Sequence, residues 1–87
     1  MKRTILVTGG LGYIGSHTAV QLLNAGFDVV CFDNLSNSKR AMLARISELG
    51  GRAPGFYLGD IRDDGALLDV LSQYCIDGVI HLSLIHI

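Results

Sequence analysis

Short, continuous apolar runs recur along the chain, and longer segments with helical spacing separate them. Runs without polar alternation are typical of strands that are buried on both faces of a parallel sheet. The pattern predicts strands over residues 4–7, 28–32, 56–58 and 79–82.

The three segments between these strands carry apolar residues at the spacing of an α-helix. The first is expected to end at Gly26, the second to cover residues 39–49, and the third to be capped by Asp63 or Asp64. The predicted inward faces are Ile14, Ala19, Leu22 and Leu23 in the first helix, Met42, Ile46 and Leu49 in the second, and Leu67, Val70, Leu71 and Tyr74 in the third.

Strict alternation of strands and helices predicts an α/β fold. We expect a partial Rossmann-type doubly wound parallel sheet of four strands, in the order 3-2-1-4, with three helices and right-handed crossovers. A ligand would then bind at the carboxyl ends of the strands.

Composition narrows the class of protein. The 87 residues are 49% hydrophobic and 17% charged, which indicates one globular domain rather than a disordered chain. A net charge of −1 without a basic cluster argues against nucleic acid, and no apolar stretch approaches the length of a membrane span. Cys31 and Cys75 lie 44 positions apart and fit no metal-ligand spacing, so we expect two small core residues in a cytoplasmic protein.

A glycine-rich turn lies between the first strand and the first helix. Gly10, Gly12 and Gly15 fit G-x-G-x-x-G, while Gly9, Gly12 and Gly15 fit G-x-x-G-x-x-G. In this context the glycines allow a sharp turn, close approach of a pyrophosphate and close packing of helix on strand. The alternative is a tight strand–helix turn that binds nothing.

Acidic residues follow the second and third strands. Asp33 stands 18 residues after Gly15, close to the distance at which an acid meets the adenosine ribose of a dinucleotide. Its charge favours NAD over NADP, although Lys39 and Arg40 could serve a 2′-phosphate. Asp60 could accept a hydrogen bond from an adenine amino group. The alternatives are a loop cap for Asp33 and a solvated loop position for Asp60.

Histidines and tyrosines supply no recognisable catalytic group. His81 ends the fourth strand near the expected place of a nicotinamide, and we favour a structural role for it. None of the three tyrosines has a lysine four residues later, and we expect no metal site.

Three segments together resemble the UDP-glucose 4-epimerases, a family of extended short-chain dehydrogenases/reductases. They are TGGLGYIGSH at residues 8–17, DNLSNSK at residues 33–39 and GDIR at residues 59–62, and the resemblance extends from about residue 1 to 82. It implies tightly held NAD. The cofactor-binding residues it implies are Gly9, Gly12, Tyr13, Ile14, Gly15, Asp33, Asn34, Leu35, Ser36, Asn37, Ser38, Lys39, Asp60 and Ile61.

The resemblance also assigns parts of the cofactor. The backbone at Tyr13 and Ile14 would hold the pyrophosphate, and Asp33 would bind the adenosine ribose. Asp60 would meet the adenine amino group, and Ile61 the ring. The residues expected around the ribose and the phosphates are Asn34, Asn37, Ser38 and Lys39.

The implied reaction interconverts UDP-glucose and UDP-galactose through a 4-keto sugar, in a full-length protein that we expect to be a homodimer. The family's Ser/Thr and Tyr-x-x-x-Lys are absent from these 87 residues, so we expect this chain alone to be inactive. We interpret residues 1–82 as the N-terminal part of an NAD-binding Rossmann domain. Residues 83–87 depart from the family pattern and are interpreted as a truncation or junction artefact.

The sequence is also compatible with three other hypotheses of function. A dehydratase or decarboxylase of nucleotide sugars would share the same cofactor-binding half. A non-catalytic NAD-binding module would lack the tyrosine and lysine by nature. A methyltransferase that uses S-adenosylmethionine also combines a glycine loop with an acid after the second strand.

Overall fold

The computed structural model describes residues 3–9, 13–34, 41–60 and 62–81. Its elements alternate along the chain as predicted. Their bounds are β1 Thr4–Thr8, α1 Tyr13–Asn24, β2 Asp28–Asp33, α2 Met42–Gly50, β3 Gly55–Leu58, α3 Asp64–Gln73 and β4 Gly78–His81.

The strands form one parallel sheet in the order β3-β2-β1-β4, which confirms the predicted topology and fold class. Thr8 at the end of β1 pairs with Phe32 on one side and with His81 on the other. Asp33 pairs with Leu58 at the end of β3. The carboxyl ends of the four strands therefore lie side by side along one edge of the sheet.

The core has two halves, one on each face of the sheet. Successive residues of a strand point to opposite faces, so β1 and β2 supply apolar side chains to both halves. This double burial explains the continuous apolar runs of the sequence. The α1–α2 side buries Val7, Ala19, Leu23, Val29, Cys31 and Ile46. The α3 side buries Leu6, Val30, Phe32 and Val70.

Two of the predicted helix caps can be checked directly. The side chain of Asp63 accepts hydrogen bonds from the backbone N–H groups of Gly65 and Ala66, which confirms one of the two caps predicted for α3. Gly26 adopts a φ of 97° just after α1, as expected of a residue that ends a helix.

The predicted inward faces of α1 and α2 are partly wrong. Ile14 is 65% exposed, because it lies about 140° around the helix axis from the buried Ala19. Leu49 is exposed as well, since Gly50 rather than Leu49 faces α1. A Cβ on Gly50 would stand 2.7 Å from a methyl carbon of Leu23, so the helices meet closely there. Leu71 of α3 is also exposed, next to the buried Val70.

The two cysteines have different surroundings. Cys31 is fully buried, and this burial, with a smaller contribution from the negative charge of Asp33, raises the pKa of its thiol to about 12. Cys75 is exposed, so the prediction that both are core residues is wrong for Cys75. Its position just after α3, outside the sheet, accounts for the difference.

Helix α2 differs from the predicted helix at position 41, which was expected to lie within it. The helix begins at Met42, with Ala41 as an N-cap whose side chain makes no capping hydrogen bond. Residues 39 and 40 of the predicted helix lie outside the described residues. Within the described ranges, no helix combines the length and the apolar character that crossing a membrane requires.

Candidate functional site

The described part of the predicted site lies along the carboxyl edge of the sheet. Gly9 follows β1. Asp33 is the last residue of β2 and Asn34 comes directly after it, while Asp60 lies in the loop after β3. The first turn of α1 adds the predicted Tyr13, Ile14 and Gly15. The remaining predicted residues lie outside the described ranges and are Gly12, Leu35, Ser36, Asn37, Ser38, Lys39 and Ile61.

Gly9 brings the turn after β1 against the end of β2. Its backbone N–H donates a hydrogen bond of 2.7 Å to the carbonyl oxygen of Phe32, and its φ is 71°. A side chain would be strained at this backbone conformation, which explains the glycine. Gly9 therefore lies beside the end of β2, next to Asp33 in that strand.

Helix α1 points its amino end at the same edge. The first backbone N–H groups of any helix lack an acceptor within the helix, and the helix dipole adds a partial positive charge there. No acidic residue occupies the first turn of α1, so no carboxylate of that turn offsets this charge. Gly15 is buried within the turn, while the side chain of Ile14 points to solvent. This end of α1 suits an anionic group such as a phosphate.

Asp33 is a buried acid at the end of β2. Asp33 is only 7% exposed. Its negative charge contributes to the raised pKa of the Cys31 thiol. The carbonyl oxygen of Asp33 accepts a hydrogen bond of 3.1 Å from the backbone N–H of Gly59. This hydrogen bond joins the residue before Asp60 to the end of β2.

Asp60 is held by hydrogen bonds from two other residues. The Arg62 backbone N–H lies 2.9 Å from Oδ1 of Asp60, and Nη2 of Arg62 lies 2.7 Å from Oδ2. The side chain of Asn34 donates a further hydrogen bond to this carboxylate. The Arg62 side chain and backbone are the main causes that lower the pKa of Asp60 to about 2. Asp60 is therefore an ionised acceptor at any physiological pH.

An aromatic pair supports the loop that carries Asp60. The rings of Phe32 and Tyr57 stack with their centroids 5.5 Å apart and their planes at 4°. A Cβ on Gly59 would stand 2.9 Å from Cζ of Phe32 and 3.1 Å from Cε1 of Tyr57. The Tyr57 hydroxyl donates to Asp69 on α3, which holds the ring in place. The loop that carries Asp60 thus needs a residue without a side chain at position 59 to pack on this aromatic pair.

We expect Gly59→Ala to lower the free energy of unfolding by about 1.5 kcal/mol, since the new methyl group overpacks the aromatic pair. The shift of the urea midpoint would measure it. The matched control is Gly78→Ala, whose Cβ would meet only the terminal Cδ1 of Ile5, at 3.2 Å. Equal midpoint shifts for the two variants would contradict this account of Gly59.

His81 and Thr8 form a polar contact at the ends of β4 and β1. Oγ1 of the buried Thr8 lies 2.8 Å from Nδ1 of His81 and 3.4 Å from the carbonyl oxygen of Ile80, to which it donates. The contact joins adjacent strand ends, and the structural role of His81 stays a prediction. Among the described residues, no group of His, Cys, Asp or Glu could hold a metal ion.

Three residues that contribute to the site were not predicted from the sequence, namely Arg62, Thr8 and Tyr57. Of these, only Arg62 had a usable signal, because a cation two residues after an acid can return to it within one turn of chain. The contacts of Thr8 and Tyr57 arise from strand pairing and from the packing of α3.

The chemistry of these groups suits a nucleotide. The amino end of α1 favours phosphate, and the acceptors Asp33 and Asp60 suit a ligand that presents hydroxyl and amino donors. These acceptors, together with the N–H groups at the start of α1, therefore fit the adenosine and pyrophosphate of a dinucleotide.

Comparison with known proteins agrees with this chemistry. Residues 5–86 match the family described as the NAD dependent epimerase/dehydratase family. The chain is 52% identical over 79 residues to a UDP-glucose 4-epimerase of Klebsiella pneumoniae, covering 91% of this chain and 57% of that protein. It is 50% identical over 80 residues to the UDP-glucose 4-epimerase of Neisseria gonorrhoeae, covering 92% of this chain and 24% of that one.

Solved structures show the same fold. A UDP-glucose-4-epimerase from Stenotrophomonas maltophila with bound NAD and formylated UDP-arabinopyranose superimposes with a TM-score of 0.91 at 40% identity, over 98% of this chain and 25% of that one. The UDP-glucose 4-epimerase from Brucella ovis in complex with NAD gives a TM-score of 0.80 at 34% identity, over 98% and 24%. Apart from the Klebsiella protein, the chain spans about a quarter of the length of these relatives.

Proposed function

Because this chain belongs to the NAD dependent epimerase/dehydratase family, we propose that it is the adenosine-binding part of a UDP-glucose 4-epimerase. The observation that carries the proposal is the convergence of Gly9, Asp33 and Asp60 at one sheet edge beside the amino end of α1. The identity of about half of the residues to UDP-glucose 4-epimerases favours this member of the family.

Each residue of the site binds a different part of the cofactor. The backbone at Tyr13 and Ile14 binds the pyrophosphate with the N–H groups that α1 leaves without acceptors. Asp33 accepts hydrogen bonds from the adenosine ribose, and its charge opposes a 2′-phosphate. Asp60 accepts from the adenine amino group, and Asn34, which follows Asp33 in the chain, donates to the Asp60 carboxylate. The loop residues that complete this half of the site are Leu35, Ser36, Asn37, Ser38, Lys39 and Ile61.

Bound NAD supplies the hydride acceptor for the carbon that is epimerised, and the UDP-sugar is the substrate. The chemical step needs a Ser/Thr and a Tyr-x-x-x-Lys, and the 87 residues contain no tyrosine followed by a lysine at the fourth position. Residues 1–82 therefore form a cofactor-binding part, which is inactive alone. We place the whole protein in galactose metabolism, as a cytoplasmic homodimer.

An assay of the protein at the full length of its reading frame tests the proposal. We expect it to carry NAD through purification, detected after acid release, and to convert UDP-galactose into UDP-glucose. The 87 residues alone are expected to give no turnover.

Each other result points to a different protein. A dehydrated or decarboxylated nucleotide sugar as product would indicate another enzyme of the same family, and NAD without turnover a non-catalytic module. Protein that contains no NAD and does not bind it would contradict the assignment of the site.

A further inference from the structure

The carboxylate of Asp60 is bound on both oxygens by a single side chain. Nε of Arg62 lies 3.0 Å from Oδ1 and 3.3 Å from Oδ2, and Nη2 lies 2.7 Å from Oδ2. This is the fork arrangement of a guanidinium on a carboxylate, which fixes the orientation of the carboxylate as well as its distance.

The backbone and the side chain of Arg62 restrain the Asp60 carboxylate in different ways. The Arg62 backbone N–H binds Oδ1 whatever the side chain at that position is. A single hydrogen bond to Oδ1 restrains rotation of the carboxylate about the Cβ–Cγ bond of Asp60 only weakly. The guanidinium adds contacts to both oxygens, so it restricts this rotation further. The side chain of Arg62 thereby fixes the plane of the carboxylate.

The side chain of Arg62 lies at the surface and is not part of the core. Its side chain is 85% exposed, whereas that of Asp60 is 32% exposed, so burial of the arginine adds little to packing. Asn34 holds the same carboxylate from the end of β2. The acceptor at position 60 is thus fixed between two loops that both border the candidate site.

We propose that Arg62 is a positioning residue for recognition of the adenine base, which it serves by fixing the plane and the negative charge of the Asp60 carboxylate. The inference rests on the proposed function, because it takes the ligand of Asp60 to be the adenine amino group of NAD. It adds a specific role for a side chain that does not itself touch the cofactor.

A pair of dinucleotides tests this role. Nicotinamide hypoxanthine dinucleotide is NAD with a carbonyl oxygen in place of the adenine amino group, so it offers Asp60 an acceptor where NAD offers a donor. We expect the protein at the full length of its reading frame, stripped of cofactor, to bind NAD about tenfold more tightly than this analogue. Isothermal titration calorimetry would give both dissociation constants.

We expect Arg62→Gln to reduce this preference about threefold, which is the range of an exposed ion pair, mainly by weakening NAD binding. Arg62→Lys keeps the charge without the fork and is expected to restore part of the preference. The matched control is Arg45→Gln, the same change at an exposed arginine of α2, on the other side of the sheet. It should leave the preference unchanged.

The possible results separate the two proposals. An unchanged preference in Arg62→Gln, or an equal loss of affinity for both dinucleotides, would overturn the positioning role and leave NAD binding intact. Failure of the unsubstituted protein to bind NAD would instead overturn the proposed function. Retained thermal stability in Arg62→Gln would show that the measured change is one of recognition.

Discussion

Replacement of Phe32 by alanine is expected to lower the free energy of unfolding by about 4 kcal/mol. Phe32 is 1% exposed and packs with Leu6, Val30 and Val70 on the α3 side of the sheet. Alanine would remove the whole buried ring and leave a cavity lined by the stacked Tyr57. Because folded proteins are stable by only about 5–15 kcal/mol, this loss is a large part of the total.

Urea unfolding followed by circular dichroism would measure the change, with all variants at the same chain length. Phe32→Leu is expected to lose less than Phe32→Ala, because leucine fills part of the cavity. The control is Leu68→Ala on α3, where the side chain is 69% exposed and its removal should change stability by less than about 0.5 kcal/mol. A Phe32→Ala midpoint shift no larger than that of Leu68→Ala would show that the ring does not support the core.

The strands and their order could be predicted because their physical signal is local and strong. The centres of β1 and β2 are buried on both faces, so residues 5–7 and 29–32 form uninterrupted apolar runs. Strict alternation with helices and the handedness of the crossovers then leave few arrangements of the sheet. The described topology agrees with the predicted order.

The inward faces of the helices were harder to predict, because apolar residues also occur on exposed surfaces. Ile14 is apolar but lies on the outer side of α1, where its spacing from Ala19 already placed it. Gly50 reads as a residue that ends a helix, yet it is the contact point of α2 with Leu23. A close approach of two helices depends on their packing, which the sequence of either helix alone does not show.

The acids of the site could be located from the sequence, but their partners could not. Asp33 and Asp60 follow apolar strands, and parallel topology places both strand ends at the same edge. The hydrogen bond from Asn34 to Asp60 joins residues 26 positions apart and depends on the course of two loops. The Thr8–His81 contact likewise depends on the pairing of β1 with β4.

We expect Asp33→Asn to weaken NAD binding by about 2 kcal/mol, or about thirtyfold in Kd. Asp33 is nearly buried where the turn at Gly9 meets the end of β2, so it is screened little by solvent. The amide keeps the size of the side chain but loses the negative charge that strengthens hydrogen bonds from the ribose hydroxyls. The same loss removes the repulsion of a 2′-phosphate, so the preference for NAD over NADP should fall as well.

Calorimetric titration of the cofactor-free protein with NAD and with NADP would measure both effects. The control is Asp64→Asn, which removes the same charge at an exposed position in the first turn of α3. It should change neither dissociation constant, although both variants alter the net charge equally. If Asp33→Asn weakened NAD and NADP by the same factor, the charge of Asp33 would not be what distinguishes them. Its role would then be to hold the end of β2 in shape for the turn at Gly9.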